Sequence, residues 1–249
     1  MIFRNDFICF ESADKILNFS GSDREELYEE NLKKMPQDWV YRDYKKITYK
    51  FNSLGFRCED ISNLDFDNYV LFTGCSHTEG VGLALEDTYP YQVSKKLGCD
   101  YFNLAIGGTG IDILEYNLIT WFLKHKKKPK YVFIQWPDHS RYTGVFPNYD
   151  NLIPIGNWYK EPEFKTFIAS TEITGNSYAK KVLASRVLRN IIDVPIIDIQ
   201  FSGLNSFQPY DLIIKIIDFA RDRIHSGIQS NYTITKQILN HNFIWRDMR

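Results

Sequence analysis

The sequence predicts an α/β fold, a three-layer α/β/α sandwich on a parallel sheet, and three observations carry that expectation. From Asn68 onward, short apolar runs alternate with stretches of helical period. The first run, YVLFT at 69–73, is continuously apolar instead of alternating, the pattern of a strand covered on both faces. The first three runs each end on a glycine, proline or polar turn: Gly74-Cys75-Ser76, Gly107-Gly108-Thr109-Gly110 and Pro137-Asp138-His139. Strands alternating with helices imply right-handed crossovers and a parallel, flavodoxin-like sheet. Such sheets bind ligands at the carboxyl ends of their strands, so the residues just after each strand are the functional candidates.

Residues 1–66 have another rhythm and read as an N-terminal extension packed on a main domain that runs over 67–249. SDREELYEENLKKM, 22–35, is a helix with Ser22 or Asp23 as N-cap, acids in its first turn, lysines in its last and Pro36 as its stop. Ile47, Tyr49 and Phe51 alternate with Thr48 and Lys50, the period of a half-buried strand, and lead into NSLGFR at 52–57. Beyond YVLFT, residues 87–98 form a helix ending on Gly98, and YFNLAI at 101–106 a second strand. A long amphipathic helix covers 111–128 and a third strand 131–136. Nearly 40 residues, from His139 to Asn176, then carry Arg141, Tyr142, Phe146, Tyr149, Trp158, Tyr159, Phe164 and Phe167. An insertion at this edge shapes a substrate pocket, packs itself down or makes a dimer contact. A helix at 177–192, a strand at 194–200 and a last helix at about 229–240 complete the order.

Composition removes several functions. With 44% hydrophobic and 24% charged residues the chain is globular. Its 30 basic and 31 acidic side chains leave a net charge of -1, so counterion release has no global source and nucleic acid is excluded as a partner. The N-terminus breaks its apolar residues with Arg4, Asn5, Asp6 and Glu11, which is no signal peptide, and no later stretch is of membrane-spanning length; the expected location is cytoplasmic, without membrane contact. Cys9, Cys58, Cys75 and Cys99 lie far apart and are expected as reduced, half-buried thiols. His77, Asp138 and His139 lack the spacing of metal ligands, so no metal is expected. The glycines at 107–110 lack the Lys-Ser/Thr of a P-loop, and Thr78 stands where the G-x-S-x-G elbow needs glycine.

What remains at the strand ends is the chemistry of acyl transfer. Ser76 follows the first strand, and ARDRIHSG at 220–227 supplies Asp222 and His225 before the last helix. A serine becomes nucleophilic when a base takes its proton, and a histidine is an effective base when a third group fixes its tautomer. Asp222, three residues before His225, is close enough to reach one imidazole nitrogen while the other faces Ser76. Each residue also has a plain structural alternative, Ser76 as a helix N-cap and Asp222 with His225 as a surface pair capping the last helix.

In these blocks the chain resembles the SGNH (GDSL-like) serine hydrolases, over about residues 67–240. In that family a Gly-x-Ser block follows the first strand, an Asn-x-x-x-x-Gly block the second, an Asn block the third, and Asp-x-x-His comes near the C-terminus. Here the blocks are GCSHTEG, with Cys75 where the family usually has Asp, NLAIGGTG, which puts the family's glycine at Gly108, and DRIH. The third departs, because IQWPD puts Pro137 at the asparagine position and proline has no N–H to donate.

The resemblance implies the SGNH hydrolase fold and a serine esterase without a cofactor, acting on a small or acetylated ester, perhaps on a carbohydrate, through an acyl-serine. Ser76 is the implied nucleophile, His225 the base and Asp222 its orienting acid. The N–H groups of Ser76 and Gly108 form the oxyanion hole, with Gln135 or Asn103 as candidate replacement for the missing asparagine. His77, Trp136 and Arg141 are the candidate substrate contacts, and NSLGFR is expected to buttress the sheet. Two other readings stay open, a weakly active or inactive relative that binds glycans or serves in assembly, and a flavodoxin-like nucleotide binder. Oligomeric state is not written in the sequence.

Overall fold

The computed structural model of the chain describes residues 1–9, 13–138, 140–145, 152–156, 158, 160, 162, 165–166, 169–170, 176–201 and 211–241. In chain order the main elements are β1 Ile2–Arg4, β2 Phe7–Cys9, β3 Ile16–Leu17, α1 Glu25–Lys34, β4 Tyr49–Lys50, β5 Tyr69–Thr73, α2 Ser76–Glu79 and α3 Tyr89–Leu97. There follow β6 Asp100–Asn103, α4 Ile111–Lys124, β7 Val132–Gln135, β8 Tyr142–Val145, β9 Leu152–Ile155, α5 Asn176–Ile191, β10 Ile196–Phe201, β11 Leu212–Ile214 and α6 Ile228–Leu239. The central sheet has five strands in the order β11-β10-β7-β5-β6, and every neighbouring pair is parallel.

The continuous apolar character of β5 follows from its place inside this sheet. Tyr69 and Leu71 point into a core shared with Leu118 and Trp121 of α4 and Leu188 of α5. Val70 and Phe72 point the opposite way, to Tyr89 and Val93 of α3 and Ile234 and Ile238 of α6. Side chains alternate across a strand, so two apolar layers demand an apolar residue at each position. The helices α3 and α6 pack together on one face, α4 and α5 on the other.

The N-terminal residues belong to one of these layers. Phe7, Ile8, Cys9, Leu54, Phe56 and Cys58 share the core of α4 and α5. The Asn117 amide of α4 pairs with the Ile8 backbone as a strand would, accepting from its N–H at 2.9 Å and donating to its carbonyl at 2.8 Å.

Several elements differ from expectation. The antiparallel pairs β1/β2 and β8/β9 and the edge strand β11 were not legible, being only three or four residues long. Residues 47–51 pair only at Tyr49 and Lys50, opposite Leu17 and Ile16. Helix α1 starts after Arg24, with no side-chain cap, because Ser22 and Asp23 are engaged elsewhere. All four cysteines are free and fully buried, not half-buried. His139 and much of the 139–176 insertion, Phe146, Tyr149, Tyr159, Phe164 and Phe167 included, lie outside the described residues.

Candidate active site

β5 ends at Thr73, and the chain turns at once into the four-residue helix α2, whose first residue is Ser76. Gly74 makes that turn possible: a Cβ there would collide with Thr78 Oγ1 and press against Gln135 of the neighbouring β7. Gln135 ties the turn to the sheet. Its Oε1 accepts from the Cys75 N–H at 3.3 Å, from the Cys75 thiol at 3.1 Å and from Thr78 Oγ1 at 3.3 Å. Arg57, buried and stacked on Tyr49, closes the far end of the turn by donating to the carbonyls of Glu79, Gly80 and Leu83. The NSLGFR segment thus braces the 79–83 turn through Arg57.

The second half of the site is the turn before α6. Arg223 adopts a left-handed conformation, φ 58°, and the Arg223 N–H donates to the Ala220 carbonyl at 2.8 Å, which tightens the loop around Asp222. Asp222 Oδ1 accepts the N–H groups of Ile224 at 3.0 Å and His225 at 3.1 Å. Its Oδ2 lies 2.6 Å from His225 Nδ1, and His225 Nε2 lies 2.6 Å from Ser76 Oγ. A hydroxyl, an imidazole and a carboxylate, separated by up to 149 residues of sequence, therefore meet in one hydrogen-bonded line at the carboxyl edge of the sheet.

The protonation states follow from the partners. Burial would push the Asp222 carboxyl up, but the His225 ring, the Ser22 hydroxyl and the Ile224 N–H outweigh it and hold the group down at about 2. An ionised Asp222 needs a hydrogen on His225 Nδ1, which leaves the Nε2 lone pair facing the Ser76 hydroxyl. That is the arrangement in which a serine proton can leave.

The neighbouring His77 is held in the other role. Its Nδ1 accepts the Ser226 N–H at 3.1 Å, and its ring sits 4.8 Å from the ring of His225 and 4.6 Å from that of Phe201. Burial, then the His225 ring, then Arg141 disfavour its charged form, against a smaller pull from Asp222, so its pKa lies well below the ordinary histidine range. His77 is a neutral, half-buried wall of the site.

Across from Ser76 lies the loop after β6. A Cβ on Gly107 would stand 3.5 Å from that of Ser76, and the Gly107 N–H donates to Glu79 Oε2 at 2.5 Å. Burial raises the Glu79 pKa, opposed by Arg57, the Gly107 N–H and His225. Gly108, with φ 78°, takes a left-handed conformation that suits glycine. Among the described residues neither its N–H nor that of Ser76 has an acceptor. Pro154 and Trp158 come within 4 Å of a Cβ at Gly108 and so cover this loop.

The other candidates are corrected or refined. Gln135 is drawn into the Ser76 turn: its Oε1 holds Cys75 and Thr78, and its Nε2 gives one hydrogen to the Trp136 carbonyl at 2.6 Å. Asn103, 2% exposed, gives one amide hydrogen to the Thr78 carbonyl at 2.9 Å and accepts the Ala105 N–H at 3.2 Å, which ties it to the same turn. Trp136 is no substrate contact: it is 1% exposed and donates from Nε1 to Asp198 at 3.0 Å. Arg141 stays at the rim, its guanidinium 5.4 Å from the Trp158 ring and its Nη1 without a hydrogen-bond partner.

No family model and no curated protein sequence matches the chain. Among solved structures it is similar to a family two carbohydrate esterase from Clostridium thermocellum in complex with cellohexaose, at 14% identity and TM-score 0.45, over 73% of this chain and 66% of that one. It is also similar to the psychrotrophic esterase EstA from Pseudoalteromonas sp., at 9% identity and TM-score 0.43, over 73% and 100% of the two chains. A third is a member of the lipolytic G-D-S-L family from Veillonella parvula, at 11% identity and TM-score 0.40, over 70% and 98%. The chain spans just under two thirds of the length of the carbohydrate esterase it matches.

Sequence reasoning missed three side chains that shape this site, Ser22, Glu79 and Arg57. Glu79 carried a faint signal, since it lies one helical turn after Ser76 and an acid there faces the same loop. Ser22 carried none beyond its fitness as a cap. Among the described residues no three of His, Cys, Asp and Glu gather to hold a metal ion, and no helix is long and apolar enough to cross a membrane.

Proposed function

We propose that the chain is a serine hydrolase that cleaves a small acyl ester, with Ser76, His225 and Asp222 as its catalytic residues. The observation that carries this reading is the unbroken line from Ser76 Oγ through His225 to Asp222, both links 2.6 Å long. Ser76 Oγ attacks the ester carbonyl carbon while His225 Nε2 takes its proton. The carbonyl oxygen becomes an oxyanion held by the N–H groups of Ser76 and Gly108. Collapse expels the alcohol, which receives the proton from His225 and leaves an acyl-serine. Water, deprotonated by His225, then attacks that ester, and the serine oxygen departs with the proton. Asp222 stabilises the imidazolium at both stages and keeps its own charge.

The substrate reading is drawn from the rim. Trp158, 42% exposed, and Arg141 stand beside the Gly107–Gly108 loop, an aromatic face and a planar cation suited to a sugar that carries the ester. His77 lines the opposite wall, where its neutral ring bounds the acyl group.

A weaker reading has its own observation. Pro137 offers no donor, and the buried amides of Gln135 and Asn103 each already give a hydrogen to a backbone carbonyl, so the hole is read with two N–H donors, those of Ser76 and Gly108. A missing donor costs about 3 kcal/mol of transition-state stabilisation. The alternative is therefore a slow or inactive relative that binds glycans. Treatment with a fluorophosphonate probe separates the two: labelling and p-nitrophenyl acetate turnover in the parent, both abolished in Ser76→Ala, are expected of the hydrolase. Neither signal in the parent leaves the binding protein.

A further inference from the structure

The catalytic acid has a fourth neighbour, contributed from the opposite end of the chain. Ser22 Oγ donates to Asp222 Oδ2 at 2.7 Å, to the same oxygen that receives His225 Nδ1, and stands 3.4 Å from that nitrogen. With the two backbone donors on Oδ1, this hydroxyl completes four hydrogen bonds to one carboxylate. A carboxylate bound on both oxygens has a single orientation.

Ser22 is itself held by more than this bond. The next residue, Asp23, is fully buried and takes Arg221 in a two-pronged ion pair, Nε to Oδ1 at 2.9 Å and Nη2 to Oδ2 at 2.6 Å. Arg221 adjoins Asp222. The dipeptides Ser22-Asp23 and Arg221-Asp222 thus lie side by side, hydroxyl to carboxylate and carboxylate to guanidinium, 198 to 200 residues apart in sequence. Arg221 also reaches the Asn18 carbonyl at 3.0 Å, and Tyr49 OH donates to Asp23 at 2.5 Å while accepting the Gly82 N–H at 2.8 Å. Two rigid clamps therefore fix the backbone on either side of the Ser22–Asp222 bond.

We propose that Ser22 is a positioning residue of the triad: its hydroxyl fixes the Asp222 carboxylate and shares the oxygen that orients His225, so the N-terminal segment is part of the catalytic apparatus. A cap or a surface serine would not need the buried ion pair beside it. The inference rests on the hydrolase reading for its catalytic meaning, but the bond itself is testable without turnover. The other ionisable groups that bear on His225, namely Asp222, His77 and Glu79, are unchanged when Ser22 is replaced, and Arg221 stays neutralised by Asp23.

The test compares the full-length parent with Ser22→Ala and Ser22→Thr by two readouts. The first is the low-field proton resonance of His225 Nδ1 in 15N-labelled protein, expected to move or broaden in Ser22→Ala and to return in Ser22→Thr. The second is kinetic: Ser22→Ala is expected to lower kcat for p-nitrophenyl acetate about tenfold with KM unchanged, the size of one charge-assisted hydrogen bond. A resonance identical in parent and Ser22→Ala, with Tm and kcat equal, overturns the proposal. If the resonance responds and the parent nonetheless turns over no ester, the bond stands and the hydrolase reading fails. If Ser22→Ala loses its fold, the Ser22→Thr resonance decides, because a positioning hydroxyl restores it and a purely steric role does not require the parent position.

Discussion

The two halves of the candidate site are held in different ways. The Ser76 turn hangs from the sheet: it follows β5 directly, Gln135 of the adjacent strand takes its polar groups, and Arg57 collects its last carbonyls. Among the described residues the Asp222–His225 turn follows no strand of the sheet directly. It follows residues 215–219, which belong to no named strand, and is held by Ser22 and Asp23 of the N-terminal segment, by His77 and the Gly82 carbonyl across the site, and by its own tight backbone. Ser76 is positioned chiefly by fold topology, and His225 by long-range side-chain clamps. The N-terminal segment reaches both halves, the Ser76 turn through the Arg57 guanidinium at its far end and the His225 turn through Ser22 and Asp23 beside Asp222 itself.

The sharpest way to break that asymmetry is Asp23→Ala. Arg221 is 8% exposed, and without its carboxylate a guanidinium is left buried and unpaired. Breaking a buried pair from one side costs about 3–5 kcal/mol. We expect a loss of that order in denaturant unfolding, with the far-ultraviolet signal of the sheet and helices retained in the folded fraction. Fluorophosphonate labelling should slow beyond what that fraction explains, because the His225 turn loosens while the Ser76 turn stays. Equal losses of labelling and of folded protein would show that the two halves are one unit.

The same split decides what could be read from the sequence. β5, β6, β7 and β10, the helices between them and the turns after the first three strands were legible because each rests on local signals, an apolar run, a helical period or a glycine. The meeting of Ser76, Asp222 and His225 at one edge of the sheet was legible because their residue types fit one chemistry and the strand order supplies their place. Ser22 read as a helix cap, since cap and carboxylate partner ask the same thing of a serine and only the fold brings residue 222 within reach. The surroundings of Trp136, Gln135 and Asn103 were not legible for the complementary reason. Their positions at strand ends were right, but strand register turns Trp136 into the core and binds Gln135 and Asn103 to the Ser76 turn and its neighbours.

A second expected effect concerns acid. The Asp222 pKa is depressed in the folded chain, to about 2 from an ordinary 3.8. A depressed carboxyl contributes stability that is complete above the unfolded value and disappears as pH falls through the folded one. The window is therefore about pH 4 down to pH 2, and the contribution is about 2 kcal/mol. Unfolding midpoints measured from pH 5 to pH 2 should fall more steeply in the parent than in Asp222→Asn, whose amide does not titrate. Parallel curves would mean that the carboxylate is held no better folded than unfolded, and the clamp from Ser22 would lose its purpose.

The smallest stability effect is expected where an arginine lacks a clamp. Arg57 donates to four backbone carbonyls and Arg221 to Asp23 and Asn18, whereas Arg141 keeps Nη1 without a partner and rests its guanidinium against Trp158. Among the described residues Arg141 has no ion pair, so Arg141→Gln should change the unfolding free energy by less than about 0.5 kcal/mol. Its charge nevertheless reaches the catalytic wall, where it helps keep His77 neutral. The variant should therefore separate function from folding, raising KM for an acetylated sugar that carries a carboxylate more than for its neutral counterpart, with Tm unchanged. An arginine that stabilises nothing and alters no KM would be no part of the rim, which would then have to be sought on the Trp158 side alone.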